Sequence, residues 1–223
     1  MLASGYGVQE RVLLPELFSD YRTATGERRQ LTLAEGVDLT LDTHTALDTR
    51  TTAAGTELFL SLGRVLVSGG DIRLSTANGQ VLPAPRSRLV ISHNLPWQAG
   101  TQVQVLSGSA SIKLARGDSL SLDAGQQVTF DSQTDSTPRP VTVGADAWVN
   151  GLLIAERMPL GQVIAQLNLY RRGVVRCDPQ VAALRVSGSF SIDRPDASLD
   201  LLTRVLPIRV QRVFGYWANV VAA

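Results

Sequence analysis

The residues that could perform covalent or metal chemistry are few and scattered in this chain of 223 residues. His44 and His93 are the only histidines, and Cys177 is the only cysteine. A nucleophilic serine or cysteine needs a base and an orienting acid, and no Gly-x-Ser-x-Gly turn is present. A zinc site needs three or four ligands at short spacings, which these residues do not offer. The sequence therefore predicts no catalytic residue, no metal site and no cofactor, and so a protein that is not an enzyme.

Other candidate chemical groups have simpler interpretations. Asp42 and Asp48 could serve as the paired carboxylates of a glycosidase, but scattered acidic residues on a surface are far commoner. Cys177 ends a predicted strand, where we expect a packed small apolar side chain rather than a reactive thiol. The net charge of +1 excludes an electrostatic field strong enough to hold nucleic acid or an anionic membrane.

The first half of the chain has the periodicity of β-strands. From Gly26 to Phe130, apolar and polar residues alternate, as they do in half-buried strands. Turn residues separate these runs at intervals of roughly eight to twelve residues, with no helical stretch between them. Asn78-Gly79 is the strongest hairpin signal, because a type I′ turn needs positive φ at both central positions. The pattern predicts a mainly β domain that is antiparallel and rich in hairpins.

The last third of the chain has a mixed pattern of two strand-helix-strand units. The first helix begins at Pro159 and ends at Gly173, and the second begins at Pro195 and ends before Pro207. Apolar side chains at three- and four-residue spacing give each helix one buried stripe. Together the units predict a small α+β domain with helices on one sheet face. The expected buried positions are Leu160, Val163, Ile164, Leu167 and Tyr170, then Leu199, Leu202, Val205 and Leu206.

A composition change separates the two halves. Residues 131–143 are rich in serine, threonine and proline, which is typical of a linker. We therefore expect a juxtamembrane or linker segment at residues 1–20, an all-β domain at 21–130, a linker at 131–143 and the α+β domain at 144–223.

Aromatic residues crowd a predicted hairpin at Gly215, near the end of the chain. Aromatic side chains are enriched at protein interfaces, and an exposed sheet edge can accept an added strand from a partner. The alternative is that these residues close the core of the small domain. Arg171 and Arg172 are expected to cap the first helix or to meet acidic groups of a partner. The predicted partner-binding residues are Val210, Arg212, Phe214, Tyr216 and Trp217.

Several short motifs occur in a fixed order across residues 20–213. In the β-rich half they are Tyr21-Arg22-Thr23, Gly26-Glu27-Arg28-Arg29, Leu31-Thr32-Leu33 and Leu41-Asp42-Thr43. In the second half they are Trp148, Gly151, Pro159-Leu160, Leu167-Asn168, Tyr170-Arg171, Asp178-Pro179, Val186-Ser187-Gly188, Asp196-Ala197 and Leu206-Pro207-Ile208. This arrangement resembles the FecR-type transmembrane regulators, the anti-sigma factors of cell-surface signalling. Their periplasmic part ends in a domain similar to the secretin and TonB short N-terminal domain.

The resemblance implies a periplasmic signal-relay region of a single-pass inner-membrane protein. Its implied partner is the N-terminal signalling domain of an outer-membrane TonB-dependent siderophore transporter, through which iron-uptake genes are controlled. A cytoplasmic segment outside this sequence would hold the extracytoplasmic-function sigma factor. The resemblance implies no binding to nucleic acid and no direct membrane contact by this region, and no run in the sequence approaches the ~18 apolar residues of a membrane span.

The family resemblance also raises the question of self-cleavage. Many relatives carry a Gly-Thr pair whose hydroxyl attacks the preceding carbonyl, but the corresponding segment here reads Leu82-Pro83-Ala84-Pro85-Arg86-Ser87. Gly100-Thr101 is expected in a hairpin loop further on, so we predict no self-cleavage. Two other functions remain open at this point: a self-associating envelope scaffold module and a carbohydrate-active β domain.

Overall fold

The computed structural model describes residues 19–33, 36–52, 55–69, 72–134, 137–213 and 215–223. Within these ranges the chain forms a large curled β unit followed by a smaller α+β unit, which confirms the predicted fold class. Residues 1–18 of the predicted 1–20 segment lie outside the described residues. None of the helices in the described ranges is long and apolar enough to cross a membrane.

The β unit has thirteen strands within the described residues, joined in one hydrogen-bonded sheet. The central path runs β11-β10-β7-β6-β5-β8-β9-β12-β13, while β3 and β4 also pair with β5. All of these pairs are antiparallel except β5 with β6. The strands are β1 (Tyr21–Arg22), β2 (Arg29–Leu33), β3 (Val37–Leu41), β4 (Ala46–Thr52), β5 (Gly55–Ser68), β6 (Ile72–Thr76), β7 (Gly79–Pro83), β8 (Arg88–Leu95), β9 (Gln98–Ser107), β10 (Ser109–Leu114), β11 (Ser119–Asp123), β12 (Gln126–Phe130) and β13 (Arg139–Pro140).

The long strand β5 belongs to both layers of the β unit. Its first half pairs with β4 and β6, and its second half pairs with β3 and β8. The strand bends at Gly63, where φ is +100° and a Cβ atom would lie 2.5 Å from the Thr45 Cα atom. Only glycine tolerates both conditions. Leucine and valine side chains from both halves then meet in one buried core.

The hairpin between β6 and β7 corrects one prediction. Thr76 pairs with Gly79, so the turn centres on Ala77 and Asn78 rather than on Asn78-Gly79. Neither central residue has positive φ, so the turn is not type I′. A side chain holds the turn instead, because the Thr76 hydroxyl accepts a hydrogen bond from the backbone N–H of Asn78 at 3.1 Å. Gly79 is required for a different reason, since a Cβ atom there would lie 2.5 Å from the Lys113 carbonyl oxygen.

The α+β unit contains two small sheets and three α-helices within the described residues. β14 pairs with β16, and the second sheet has the order β15-β18-β17 with β15 and β18 parallel. The short helix α2 was not predicted; its N-cap is Asp178, whose carboxylate accepts the Gln180 N–H. The elements are a 3₁₀ helix (Ala147–Asn150), β14 (Leu152–Pro159), α1 (Leu160–Asn168), β15 (Val174–Cys177), α2 (Pro179–Ala182), β16 (Arg185–Ser191), α3 (Pro195–Val205), β17 (Ile208–Val213) and β18 (Trp217–Ala222).

Both helices have the predicted apolar stripe, but α1 ends at Asn168 rather than at Gly173, and α3 departs from the pattern at its last turn. Leu160, Val163, Ile164 and Leu167 are buried, as the apolar stripe of α1 predicts. In α3, Leu199 and Leu202 are buried, but Val205 is 66% exposed, so its predicted burial is wrong. The chain leaves the helix at Leu206, in an extended conformation, so the last turn of α3 does not continue onto the core.

The two units share a packed boundary. The core of the α+β unit includes Leu66 and Val90, whose side chains point out of the β unit. This follows from the alternation of side chains along a strand, which gives β5 and β8 one face for each core. In the predicted linker, Arg139 and Pro140 pair with the edge of β12. The proposed domain limits themselves stay a prediction.

Candidate protein-interaction site

The predicted partner-binding residues lie on the β17–β18 hairpin. Strand β17 is an outer strand of its sheet, and in the described part of the chain its second edge pairs with no other strand. Val210 is half-buried against the core, whereas Arg212 is exposed and donates to the Asp200 carboxylate at 2.7 Å. Phe214 lies outside the described residues. The hairpin therefore offers an open strand edge, as the sequence led us to expect.

Two aromatic side chains of this hairpin are exposed to solvent. Tyr216 is 54% exposed and Trp217 is 43% exposed, and their rings meet edge to face with centroids 5.9 Å apart. The Arg176 guanidinium lies 5.5 Å from the centroid of the Trp217 ring. The two rings contact each other, and Trp217 also contacts Arg176, but neither ring packs into the core. Much of their apolar surface therefore remains exposed to solvent. Whether this surface binds a partner stays a prediction.

The buried side chain of Arg171 fixes the turn of the hairpin. Its guanidinium donates to the Gly215 carbonyl at 2.7 Å and to the Tyr216 carbonyl at 2.8 Å. It also contacts the Asp196 carboxylate at 2.9 Å, in the first turn of α3. Arg171 is only 6% exposed, so it is not available to acidic groups of a partner. Sequence reasoning placed this residue at a helix end and missed its role in the hairpin, because the contacts span 44 and 45 residues.

The neighbouring residue, Tyr170, reaches the other way, into the β unit. Its hydroxyl lies 2.8 Å from both oxygens of the buried Asp42 carboxylate and donates to it. Arg64 donates from Nε to the same carboxylate at 2.8 Å and from Nη2 to the Tyr170 oxygen at 2.9 Å. Burial raises the pKa of the Tyr170 hydroxyl well above its ordinary value. Tyr170 is therefore a neutral donor at physiological pH.

The Arg64 guanidinium completes the contact between the units. Its face lies 4.8 Å from the centroid of the Trp148 ring, which belongs to the α+β unit. Burial alone lowers the pKa of Arg64, but the nearby Asp42 charge and Tyr170 outweigh that effect and raise it. We call Asp42, Arg64, Trp148 and Tyr170 the junction. It is a charged cluster in which Asp42, Arg64 and Tyr170 are joined by hydrogen bonds, at a boundary that is otherwise apolar.

Two further contacts cross the boundary near the junction. The Thr43 hydroxyl donates to the Leu169 carbonyl at 3.2 Å, and Arg28 forms an ion pair with Asp193 at 2.8 Å. Consecutive residues just after helix α1 therefore contact different regions. Leu169 and Tyr170 contact the β unit, and Arg171 contacts the exposed hairpin. This arrangement gives a continuous physical connection between the two.

Residues 19–81, which supply Asp42 and Arg64 to the junction, match the model of the FecR protein family. Over this segment, less than a third of its length, the chain is similar to the FecR family. Two solved structures with a similar fold are crystal structures, at 1.65 Å and 2.50 Å resolution, of a candidate anti-sigma factor from Parabacteroides distasonis. They superpose on this FecR-like chain with TM-scores of 0.76 and 0.75, at 16% identity, covering 91% of this chain and 98% of theirs. At that identity the likeness shows the fold alone. No curated protein matches the chain.

The segment at residues 82–87, where the family resemblance raised the question of self-cleavage, has a structural role in this chain. Arg86 adopts φ of +62°, a conformation that favours glycine. The next hydroxyl, of Ser87, donates to the Ser109 carbonyl at 2.9 Å and accepts the Ser109 N–H at 3.1 Å. A hydroxyl held this way joins two strands, and no base is among its hydrogen-bond partners.

We had expected Gly100-Thr101 in a hairpin loop. The pair lies instead within strand β9. The Thr101 hydroxyl is fully buried, 2.9 Å from the His93 Nδ1 atom and 2.9 Å from the Thr76 hydroxyl. Burial lowers the pKa of His93, which keeps its imidazole neutral. Because burial excludes water from this cluster and each member bonds to another, we interpret it as a packing device of the β unit.

The remaining chemical candidates are also separated. The Asp42 carboxylate binds Arg64 and Tyr170, whereas Asp48 accepts hydrogen bonds from the Asp20 amide and the Ser19 hydroxyl. Burial, and secondly the Asp178 charge, raises the pKa of the Cys177 thiol, which makes it a weaker nucleophile. Among the residues that the structure describes, no group of histidine, cysteine and acidic side chains could hold a metal ion. The absence of catalysis stays a prediction.

Proposed function

We propose that this FecR-like chain is the periplasmic signal-relay region of a transmembrane sigma-factor regulator. Two findings support a signalling regulator: the FecR family match at residues 19–81, and the shared fold with a candidate anti-sigma factor over 91% of the chain. We further propose that its partner is the N-terminal signalling domain of an outer-membrane TonB-dependent siderophore transporter. The expected result of this contact is control of iron-uptake transcription through a sigma factor.

The partner is proposed to dock on the β17–β18 hairpin. The observation that carries this proposal is an unpaired strand edge beside two exposed aromatic rings, Tyr216 and Trp217. A strand added to β17 would gain backbone hydrogen bonds, while the rings would supply the desolvated anchors of a protein interface. The side chains of Val210 and Arg212 lie on this strand and would contribute to selectivity.

The signal is proposed to pass through the end of helix α1. A partner that shifts the hairpin turn would move its two carbonyl contacts to Arg171. Tyr170 follows because it is the adjacent residue, and its hydroxyl holds the Asp42 carboxylate of the β unit. Coupling of this kind requires an element with two arrangements that the partner biases. The hairpin turn with Arg171 is proposed to be that element, and the junction is proposed to be the rigid contact through which the β unit responds.

Calorimetric titration of this chain with a purified N-terminal signalling domain of a TonB-dependent siderophore transporter would test docking. We expect a complex at micromolar concentration, and a loss of about tenfold or more in affinity for Trp217→Ala, in line with an interface anchor. Phe59→Ala is the matched control, because Phe59 is also 43% exposed but lies on β5 of the other unit. No complex with the wild type, or equal losses for both variants, would contradict the proposal.

Sedimentation of the chain alone separates the relay from a ring-forming scaffold module. A relay region should remain monomeric until its partner is added, whereas a scaffold module should self-associate. If the chain assembles in a concentration-dependent way and Trp217→Ala abolishes that assembly, the hairpin is a self-association surface and the scaffold function is favoured.

A further inference from the structure

A cleft of about 310 Å³ lies between the two units, and Arg64, Trp148 and Tyr170 of the junction form part of its wall. The β unit contributes the ends of β8 and β9 with the turn that joins them, and the α+β unit contributes β14 and two glutamines of α1. Two of the three tryptophans of the chain, Trp97 and Trp148, line it. Five of its lining residues are glutamines: Gln98, Gln102, Gln104, Gln162 and Gln166.

The charge of the cleft is one-sided. None of the described residues that line the cleft is aspartate or glutamate, whereas two arginines, Arg64 and Arg139, line it. The Arg64 charge is compensated by Asp42 at the junction. Arg139 lies exposed on the edge strand β13, and no ion pair of the described residues involves it. The cleft therefore carries one uncompensated cation.

Two lining residues also hold hydrogen-bond donors without a partner. The indole N–H of Trp148 and the side-chain amide nitrogen of Gln98 are buried and bond to no protein group. Trp148 is only 2% exposed, so bulk water does not solvate its ring. A buried donor without an acceptor costs folding free energy, which is why such groups are rare and each of them requires an explanation. Both groups require an acceptor.

We propose that this cleft binds a small organic molecule that carries a carboxylate. The carboxylate accepts from Arg139, a guanidinium fork suited to its two oxygens, and further ligand oxygens accept from Gln98 and Trp148. Leu152, Leu153 and Met158 provide apolar wall for the body of the molecule. The volume is at the lower end of small-molecule sites, which span about 300–1,000 Å³, so the ligand is of the size of a sugar acid or a short peptide end.

Calorimetric titration of the full chain with two pairs of probes tests the proposal. Acetyl-leucine and acetyl-leucinamide form one pair, and glucuronate and methyl glucoside form the other. We expect one acid to bind, and its neutral counterpart to bind about tenfold more weakly or worse, because only the acid forms charge-assisted hydrogen bonds. The acid that binds identifies the source of the carboxylate. Failure of both acids to bind below about 10 mM, or equal binding of an acid and its neutral counterpart, overturns the proposal.

Two arginine variants locate the binding site. Arg139→Gln should weaken binding of the acid about tenfold, since it removes the cation but keeps a hydrogen-bond donor. Arg50→Gln is the matched control, because Arg50 is exposed on β4 and does not line the cleft. Both side chains are exposed, so both variants should fold, which circular dichroism checks. Unchanged affinity in Arg139→Gln overturns the proposal, and the result is independent of the β17–β18 hairpin because that hairpin does not line the cleft.

Discussion

Two buried arginines stabilise this protein in different ways. At the junction, Arg64 pairs with Asp42, whose carboxylate is itself buried at 1% exposure. At the hairpin, Arg171 pairs with Asp196, whose side chain is 53% exposed, and with two backbone carbonyls. An ion pair with both partners buried has no substitute in solvent, whereas water can replace an exposed carboxylate. The comparison indicates a rigid connection between the units and an adjustable one at the β17–β18 hairpin.

Removal of the junction carboxylate should give the largest effect. Asp42→Ala leaves the Arg64 charge buried without its partner, so we expect a loss of about 3–5 kcal/mol in the free energy of unfolding. Urea denaturation measures it, with Asp48→Ala as the control in an exposed contact. A loss under about 1 kcal/mol, the range of surface pairs, would show that the junction is not the rigid member of the comparison.

The apolar anchor of helix α1 supports both arginine sites, because the end of this helix carries Tyr170 and Arg171. Leu167 is 1% exposed in the core of the α+β unit. Leu167→Ala should cost about 2–5 kcal/mol of unfolding free energy through the cavity it leaves. The substitution should also weaken partner binding, which thermal denaturation and calorimetry together would record. A loss below about 0.5 kcal/mol would place this helix face outside the core.

Replacement of Arg171 tests the adjustable side of the comparison. Arg171→Met keeps the stem of the side chain but leaves the Gly215 and Tyr216 carbonyls without their donor, with an expected cost of about 1–3 kcal/mol. Hydrogen exchange should rise in residues 215–217 and not in β5. Faster exchange in both regions would mean that the hairpin and the junction open as one unit.

Mild acid should lower stability through the buried cluster of His93, Thr101 and Thr76, not through either arginine. Burial lowers the pKa of His93 below its ordinary value of 6.5, so the unfolded chain binds a proton that the folded protein does not. Stability is therefore complete above pH 6.5 and falls as the pH drops from 6.5 towards the folded-state pKa, by at most about 1.4 kcal/mol per pH unit. Thermal denaturation from pH 7.5 to 5 measures this, and His93→Gln should flatten the slope. An unchanged slope would assign the acid response to other groups.

The smallest effect is expected for the exposed partner of Arg171. Asp196→Asn removes a charge that is open to solvent, so the cost should stay below about 1 kcal/mol and shrink further at high salt. Denaturation at two salt concentrations checks it. A cost equal to that of Asp42→Ala would remove the distinction between the two arginine sites.

Periodicity was sufficient for the regular elements. The apolar stripe of α1 and the hairpin at Gly215 match the structure because they depend on residues three or four apart, or on one turn. The turn at Ala77 and Asn78 was placed one residue off, since the hydrogen bonds that Asn78 donates to the Thr76 and Thr101 hydroxyls override the local glycine signal. Val205 was misplaced because the point where α3 leaves the core depends on what packs beneath it.

The candidate site was predicted only in its exposed part. An aromatic cluster beside a glycine is visible in the sequence, and Asp42 and Tyr170 both lie in motifs of the family resemblance. Nothing local indicates that Arg64 joins them, because the Tyr170 hydroxyl and the Arg64 guanidinium are separated by 106 residues. Ion pairs have no sequence period, so their partners cannot be inferred from spacing.

The sequence by itself determined the order of a β-rich half and an α+β half, the helix faces and the aromatic hairpin. These features arise from local backbone preference and from the alternation of apolar and polar side chains, which each segment carries on its own. The tertiary structure alone decided that two consecutive residues contact different regions, Tyr170 the junction and Arg171 the β17–β18 hairpin. It also decided that a donor-rich cleft lies between the units. Those outcomes depend on how two finished surfaces pack, since burial and charge pairing exist only after distant segments meet.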